Sequence, residues 1–169
     1  GKVFVFHGSA SGLTGSPDWT KESDQTGANF GFSVSTAGDV NGDGYSDVFI
    51  GAPDFSNGEN KEGALFVFHG SRSGLSSTSN WSSESNQVNA LIGWKVSTAG
   101  DVNGDGYSDV IAGAPNYDNG QTNEGSVFVY HGSSYGLSFT ANWIKESNHE
   151  NNIFGMALAS AGDVNGDGY

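Results

Sequence analysis

A segment rich in Asp, Asn and Gly occurs twice over nine residues and a third time over seven, and it could bind a metal ion. The first, Asp39-Val-Asn-Gly-Asp-Gly-Tyr-Ser-Asp47, is repeated without change at 101–109, and a third copy starts at Asp163 and reaches Tyr169. Side-chain oxygens stand at positions 1, 3, 5 and 9, and position 7 can offer its backbone carbonyl. Calcium takes about six to eight oxygen ligands and accepts flexible geometry, so the segments predict calcium sites.

The acids are concentrated at these positions. Eight of the 19 acidic residues lie in the three segments, so their placement, and not the net charge of −13, carries the prediction. Gly44 and Gly106, at position 6, permit the sharp turn that such a loop needs. The candidate ligands are Asp39, Asn41, Asp43, Tyr45 and Asp47; Asp101, Asn103, Asp105, Tyr107 and Asp109; and Asp163, Asn165 and Asp167 of the third copy, which lacks position 9.

Three other interpretations explain these segments less well than a calcium loop between strands. They are a plain turn, a calcium loop flanked by a helix, and a site for another metal. A plain hairpin turn accounts for the glycines, but not for acids at positions 1, 5 and 9. An EF-hand requires Glu at position 12, where this sequence has Ile50 and Ala112, and both an EF-hand and a dockerin need a helix where a strand-like pattern follows. Magnesium prefers stricter octahedral geometry, and the absence of Cys and of clustered His disfavours zinc.

The composition is typical of short strands joined by tight turns. Gly accounts for 27 residues and only 15% of residues are charged, with 12% aromatic. The acidic balance disfavours nucleic acid as a partner. No apolar run approaches the roughly 18 residues that a membrane-spanning helix needs, so membrane insertion is not expected.

The sequence is a repeat with a step of 62 residues, which Trp19, Trp81 and Trp143 mark. One unit contains four strand-like runs. The pattern predicts strand one at 32–37, strand two at 48–52, strand three at 65–69 and a weaker strand four at 81–85. Such a unit is typical of a four-stranded propeller blade.

The unit resembles the FG-GAP repeat that integrin α-subunits also contain. Phe30-Gly31 and Gly51-Ala-Pro53 match the two halves of the motif, with the acidic segment between them. The next unit has Ile92-Gly93 and Gly113-Ala-Pro115, and Phe154-Gly155 opens a third. The resemblance implies a seven-bladed, usually extracellular β-propeller with calcium on the loop between strands one and two.

We therefore expect an all-β fold of propeller blades, each of four antiparallel strands. About 2.7 repeats are present, whereas a propeller closes with roughly four to eight blades, so we expect the chain to be part of a longer protein. Self-assembly into a ring is the less favoured alternative. The predicted division is 1–29 for strands three and four of one blade, 30–91 and 92–153 for two complete blades, and 154–169 for the start of another.

Two further residue types recur at the repeat step. His7, His69 and His131 end strand three, and their repetition favours a structural role over metal binding or catalysis. The three recurring Trp residues are expected to pack at the outer strand or between blades, with sugar stacking as the alternative. Asn80-Trp-Ser82 matches an N-glycosylation sequon.

The sequence contains no catalytic constellation, so no enzyme activity is predicted. The favoured function is a calcium-binding, extracellular or periplasmic adhesion or protein-interaction module. The alternatives are a carbohydrate-recognition or scaffold domain of a secreted enzyme and a structural repeat of a surface assembly. A protein or glycan partner is expected on the most variable loops, which are Asp54–Glu62, Asn116–Glu124 and Gln87–Ala90.

Overall fold

The computed structural model describes residues 1–168, and every regular element within them is a β-strand. No helix of this part is long and apolar enough to cross a bilayer. The strands are β1 (Lys2–Val5), β2 (Gly8–Ser9), β3 (Gly12–Leu13), β4 (Trp19–Glu22), β5 (Ser33–Gly38), β6 (Asp47–Ala52), β7 (Ala64–Phe68), β8 (Trp81–Glu84), β9 (Lys95–Gly100), β10 (Asp109–Ala114), β11 (Ser126–Tyr130) and β12 (Trp143–Glu146).

Two four-stranded antiparallel sheets follow one another along the chain. β5 to β8 pair in sequence order and form the first blade, and β9 to β12 do the same in the second blade. β1 and β4 pair separately as a two-stranded sheet that precedes them. The all-β architecture of four-stranded antiparallel blades is thus confirmed, and each predicted strand of the first blade begins and ends within one residue of its observed bounds.

The hydrophobic core lies between successive sheets, and the middle strands of the first blade bury side chains on both of their faces. Phe49, Ile50, Leu65 and Val67 on β6 and β7 are fully buried, although neighbouring residues of a strand point to opposite faces. Burial of both faces explains why these strands read as nearly continuous apolar runs and not as alternating ones. The blades therefore stack face to face, as a propeller requires.

Glycine allows the blades to approach at their inner strands. Gly93 has a φ of 90°, a left-handed conformation that favours glycine. A Cβ atom on Gly51 would lie 2.0 Å from the Gly93 carbonyl oxygen, and a Cβ atom on Gly113 would lie 1.9 Å from that of Gly155. The two halves of the repeated motif thus meet across the interface between successive blades.

The recurring Trp residues connect blades at their outer strands. The indole N–H of Trp19 donates to the Ser76 carbonyl at 3.0 Å, and that of Trp81 donates to the Ser138 carbonyl at the same distance. The expectation that they pack between blades is confirmed for these two. Trp143, at the same position of the second blade, is 50% exposed.

Tyr130 gives the interface between the two blades a predicted pH dependence. Burial raises the pKa of Tyr130, although the Ser83 hydroxyl, 3.2 Å from the phenol oxygen, lowers it. Because the folded pKa is raised, stability is fully present below the unfolded value of about 10 and is lost as the pH rises through the folded pKa. We expect Tyr130→Phe to cost about 1 kcal/mol near pH 7 and to remove this alkaline loss, measured by urea unfolding between pH 8 and 11.

Phe68 occupies the corresponding position in the first blade, so a phenyl ring without the hydroxyl fits this environment. Tyr135→Phe is the matched control, since Tyr135 is 98% exposed. If Tyr130→Phe and the unsubstituted protein lose the same stability at alkaline pH, ionisation of the Tyr130 phenol is not coupled to unfolding.

Candidate functional site: the acidic hairpin loops

The acidic segments are the loops of the hairpins that join the first two strands of each blade. The first loop (residues 39–47) connects β5 to β6, and the second loop (residues 101–109) connects β9 to β10. Antiparallel pairing places them at the same end of the blades as the 69–80 and 131–142 connections. The variable loops proposed for partner binding lie at the opposite end of the strands.

The first Asp of each loop organises the turn around its own carboxylate. Asp39 Oδ1 accepts the N–H groups of Gly42 at 2.7 Å and Asp43 at 3.1 Å, and Oδ2 accepts that of Gly44 at 2.8 Å. Asp101 and Asp163 accept the corresponding three N–H groups in their own copies. In the third copy these bonds, led by the one from Gly168, lower the pKa of Asp163.

Positions 3 and 5 lie beside this carboxylate. Asn41 Oδ1 accepts the N–H of Asp43 at 3.2 Å, while Asn41 Nδ2 donates to Asp43 Oδ2 at 2.9 Å. Asp43 Oδ1 in turn accepts the N–H of Tyr45 at 3.0 Å. The second loop repeats each of these bonds within about 0.1 Å of these lengths. The polar side chains of positions 1, 3 and 5 therefore line the inside of one tight turn.

Position 9 is buried at the base of each loop. Asp47 is 1% exposed and Asp109 is fully buried. Asp47 Oδ2 accepts the N–H of Val40 at 3.0 Å, and Oδ1 accepts that of Gly70 at 2.8 Å. Burial raises the pKa of Asp47, and the nearby Asp43 adds to the rise, against the lowering by these two hydrogen bonds and by His69. Burial also raises the pKa of Asp109.

The structure orders these side chains without assembling a closed cation cage. Within residues 1–168, no three Asp, Glu, His or Cys side chains converge in a metal-binding arrangement. Hydrogen bonds from the loop N–H groups, and not only repulsion between the carboxylates, determine where the carboxylates lie. Calcium binding by the loops therefore stays a prediction.

The donor chemistry nevertheless fits a hard cation. Each loop offers carboxylate and amide oxygens, and Asn41 Oδ1 lies on the inside of the turn beside the Asp43 N–H. The raised pKa of Asp47 reflects a carboxylate that is costly to bury as an anion near Asp43. A divalent cation in the loop would offset that cost.

Sequence reasoning missed the contact between the loops and the recurring His residues. Asn41 Nδ2 lies 3.3 Å from His69 Nδ1, and Asn103 Nδ2 lies 3.3 Å from His131 Nδ1. Both contacts join the amide of position 3 to the imidazole that follows β7 or β11, so each recurring His lies beside a candidate ligand. The constant separation of 28 residues in both copies was the available signal.

The variable loops are held in place by buried glutamates. Glu62 is 1% exposed and its Oε1 accepts the N–H groups of Asn57 and Glu59. Gln87 donates to the Asp118 carbonyl at 2.8 Å and accepts the Asp118 N–H at 2.6 Å, which joins the end of the first blade to the 116–124 loop. These loops therefore have internal order that a binding surface could use.

Comparison with known proteins agrees with this architecture. Residues 30–68 and 92–130 match the family model described as FG-GAP repeat. Integrin alpha-PS2 of Drosophila melanogaster is 36% identical over 86% of this chain, and integrin alpha-7 of Homo sapiens is 31% identical over 99% of it. Integrin alpha pat-2 of Caenorhabditis briggsae is 40% identical over 68% of it. The chain spans only 9% to 14% of the length of these curated relatives.

Proposed function

We propose that this chain, which belongs to the integrin α-like family of FG-GAP repeats, is a non-enzymatic segment of an extracellular β-propeller that serves adhesion or protein interaction. Its hairpin loops bind structural calcium. The observation that carries the proposal is the repeated acidic loop, whose first carboxylate accepts the same three N–H groups in every copy. The similarity to integrin α-subunits supports the adhesion role.

Each loop would hold calcium through the side chains at positions 1, 3, 5 and 9 and the carbonyl at position 7. The residues are Asp39, Asn41, Asp43, Tyr45 and Asp47 in the first loop and Asp101, Asn103, Asp105, Tyr107 and Asp109 in the second. Asp163, Asn165 and Asp167 supply positions 1, 3 and 5 of the third, whose Tyr169 lies outside the described residues. The bound ion supplies positive charge that offsets the clustered carboxylates.

Calcium at extracellular concentrations suits such sites. A dissociation constant of about 0.1 mM, within reach of extracellular modules, and about 1 mM calcium give about 1.4 kcal/mol of stabilisation per site. The stabilisation would vanish at low cytosolic calcium, which supports an extracellular or periplasmic location. The division at 1–29, 30–91, 92–153 and 154–169 is part of the same proposal.

Partner binding is assigned to the end of the blades that carries the 54–62, 87–90 and 116–124 loops. These segments differ most between the two repeats, whereas the acidic loops are identical in sequence. Trp81 is not available for sugar stacking, because it is only 4% exposed and its indole N–H donates to the Ser138 carbonyl.

Calcium titration of chelator-treated protein tests the proposal. We expect Asp43→Ala and Asp105→Ala each to remove one calcium site and to reduce the calcium-induced rise in melting temperature. Calorimetry and thermal unfolding with and without about 1 mM calcium measure both effects. Asp24→Ala, which removes an acid outside the loops, should leave every site intact. Absence of binding heat and of any melting shift at about 1 mM calcium would overturn the calcium assignment.

A further inference from the structure

Two hydrogen bonds that involve the backbone of the first loop join it to the second loop, which belongs to the next blade. The Asp39 N–H donates to the Ser108 hydroxyl at 3.1 Å, and the Ser108 N–H donates to the Asp39 carbonyl at 3.0 Å. Both backbone groups of the first candidate ligand are therefore held by one residue of the neighbouring acidic loop. Since hydrogen bonds in such a pair fix both the position and the direction of the backbone, Ser108 orients the start of the first loop.

Tyr107 packs against the same loop. A Cβ atom on Gly42 would lie 2.6 Å from the Tyr107 ring, and one on Gly38 would lie 2.2 Å from the Ser108 hydroxyl oxygen. Positions 7 and 8 of the second loop thus cover the first loop at close range. Tyr45, which holds position 7 of the first loop, is 42% exposed.

Gly132 joins the two loops at a third point. A Cβ atom there would lie 2.4 Å from the Ser108 carbonyl oxygen and 2.8 Å from that of Val40. Its N–H donates to Asp109 Oδ1 at 2.8 Å, and the next residue, Ser133, donates to the Val40 carbonyl at 3.1 Å. A candidate ligand of the second loop is therefore connected to the backbone of the first loop through two adjacent residues.

We propose that the two loops bind calcium with positive coupling, and that Ser108 is the positioning residue that transmits it. The inference rests on the calcium binding proposed above. Ordering the second loop around an ion fixes Ser108, which in turn holds Asp39 in its binding position before the first ion arrives. Calcium binding to a loop that is already ordered costs the loop less conformational entropy, and the coupling free energy must be equal in both directions.

Single-site variants measure the coupling by calorimetry. Asp105→Ala should weaken calcium binding at the remaining first loop about fivefold, and Asp43→Ala should weaken the second loop by the same factor. Adding Ser108→Ala to either variant should cause little further loss, because the coupling is already interrupted. Ser108→Ala alone should weaken calcium binding at the first loop and make that affinity independent of calcium binding at the second loop.

Ser46→Ala is the matched control. Ser46 holds position 8 of the first loop and is not a candidate ligand, and its hydroxyl makes no hydrogen bond within residues 1–168. It should leave the coupling intact. Hydrogen exchange provides a second readout, since calcium bound only at the second loop of Asp43→Ala should slow exchange at the Asp39 amide.

The outcomes separate this inference from the calcium assignment itself. If calcium binds both loops but Asp105→Ala and Ser108→Ala leave first-loop affinity unchanged, the coupling is overturned and the calcium sites stand. If no calcium binds to the unsubstituted protein, both ideas are overturned together. Unequal factors in the two directions would also contradict the coupling, because linkage requires them to match.

Discussion

Gly51→Ala is expected to lower the free energy of unfolding by about 3 kcal/mol or more. The added methyl group would lie 2.0 Å from the carbonyl oxygen of Gly93 and 2.8 Å from its carbonyl carbon. Both atoms belong to the backbone of the next blade, so no side chain can rotate away to make room. The blades would have to separate at their inner strands, and urea unfolding measures the cost.

Gly15→Ala is the control for this substitution. Nothing lies within 4 Å of a Cβ atom there, and Gly15 has no positive φ, so the change should stay within about 0.5 kcal/mol. Gly113→Ala repeats the experiment at the next interface, where the distance to the Gly155 oxygen is 1.9 Å. Near-native stability of both interface variants would mean that the blades do not approach as closely as described.

Trp81→Ala is expected to cost about 3–5 kcal/mol, the range for a large buried aromatic side chain. Trp81 is 4% exposed, its indole N–H donates to the Ser138 carbonyl, and its ring meets that of Tyr130 edge-on with centroids 4.9 Å apart. Truncation would leave a cavity in the first blade and an unpaired carbonyl in the second. Thermal and urea unfolding measure the loss.

The repeat supplies its own control for this prediction. Trp143 holds the same position but is 50% exposed, so Trp143→Ala should cost about 1 kcal/mol or less. Equal losses for the two Trp variants would show that the position stabilises its own blade and not the contact with the next one.

The strands were predictable because their sequence pattern is local. Pro53 ends strand two, and the Gly- and Asn-rich segments on either side leave a short apolar run that can only be a buried strand. The two-residue strands β2 and β3 were not predicted, since Gly8–Ser9 and Gly12–Leu13 carry no apolar alternation. Residues 157–161 resemble strand one but form no strand.

The acidic loops were found from spacing alone, but their connections to neighbouring blades were not. The first and second loops are identical in sequence, so nothing in the pattern distinguishes Ser46 from Ser108. Ser108 contacts the first loop of the preceding repeat, whereas residues 1–38 include no acidic loop that Ser46 could contact. Contacts between repeats depend on the angle at which blades stack, which a single repeat does not encode.

The direction of the Trp contacts has a consequence for synthesis on the ribosome. Each indole donates to a carbonyl 57 residues further along the chain, so a blade can complete its outer strand only after most of the following blade has emerged. At about 5–20 residues per second, an early blade would wait several seconds with an aromatic side chain uncovered. In nascent chains of this protein, the blade that precedes the one being synthesised should therefore be the most vulnerable to chaperone capture and proteolysis.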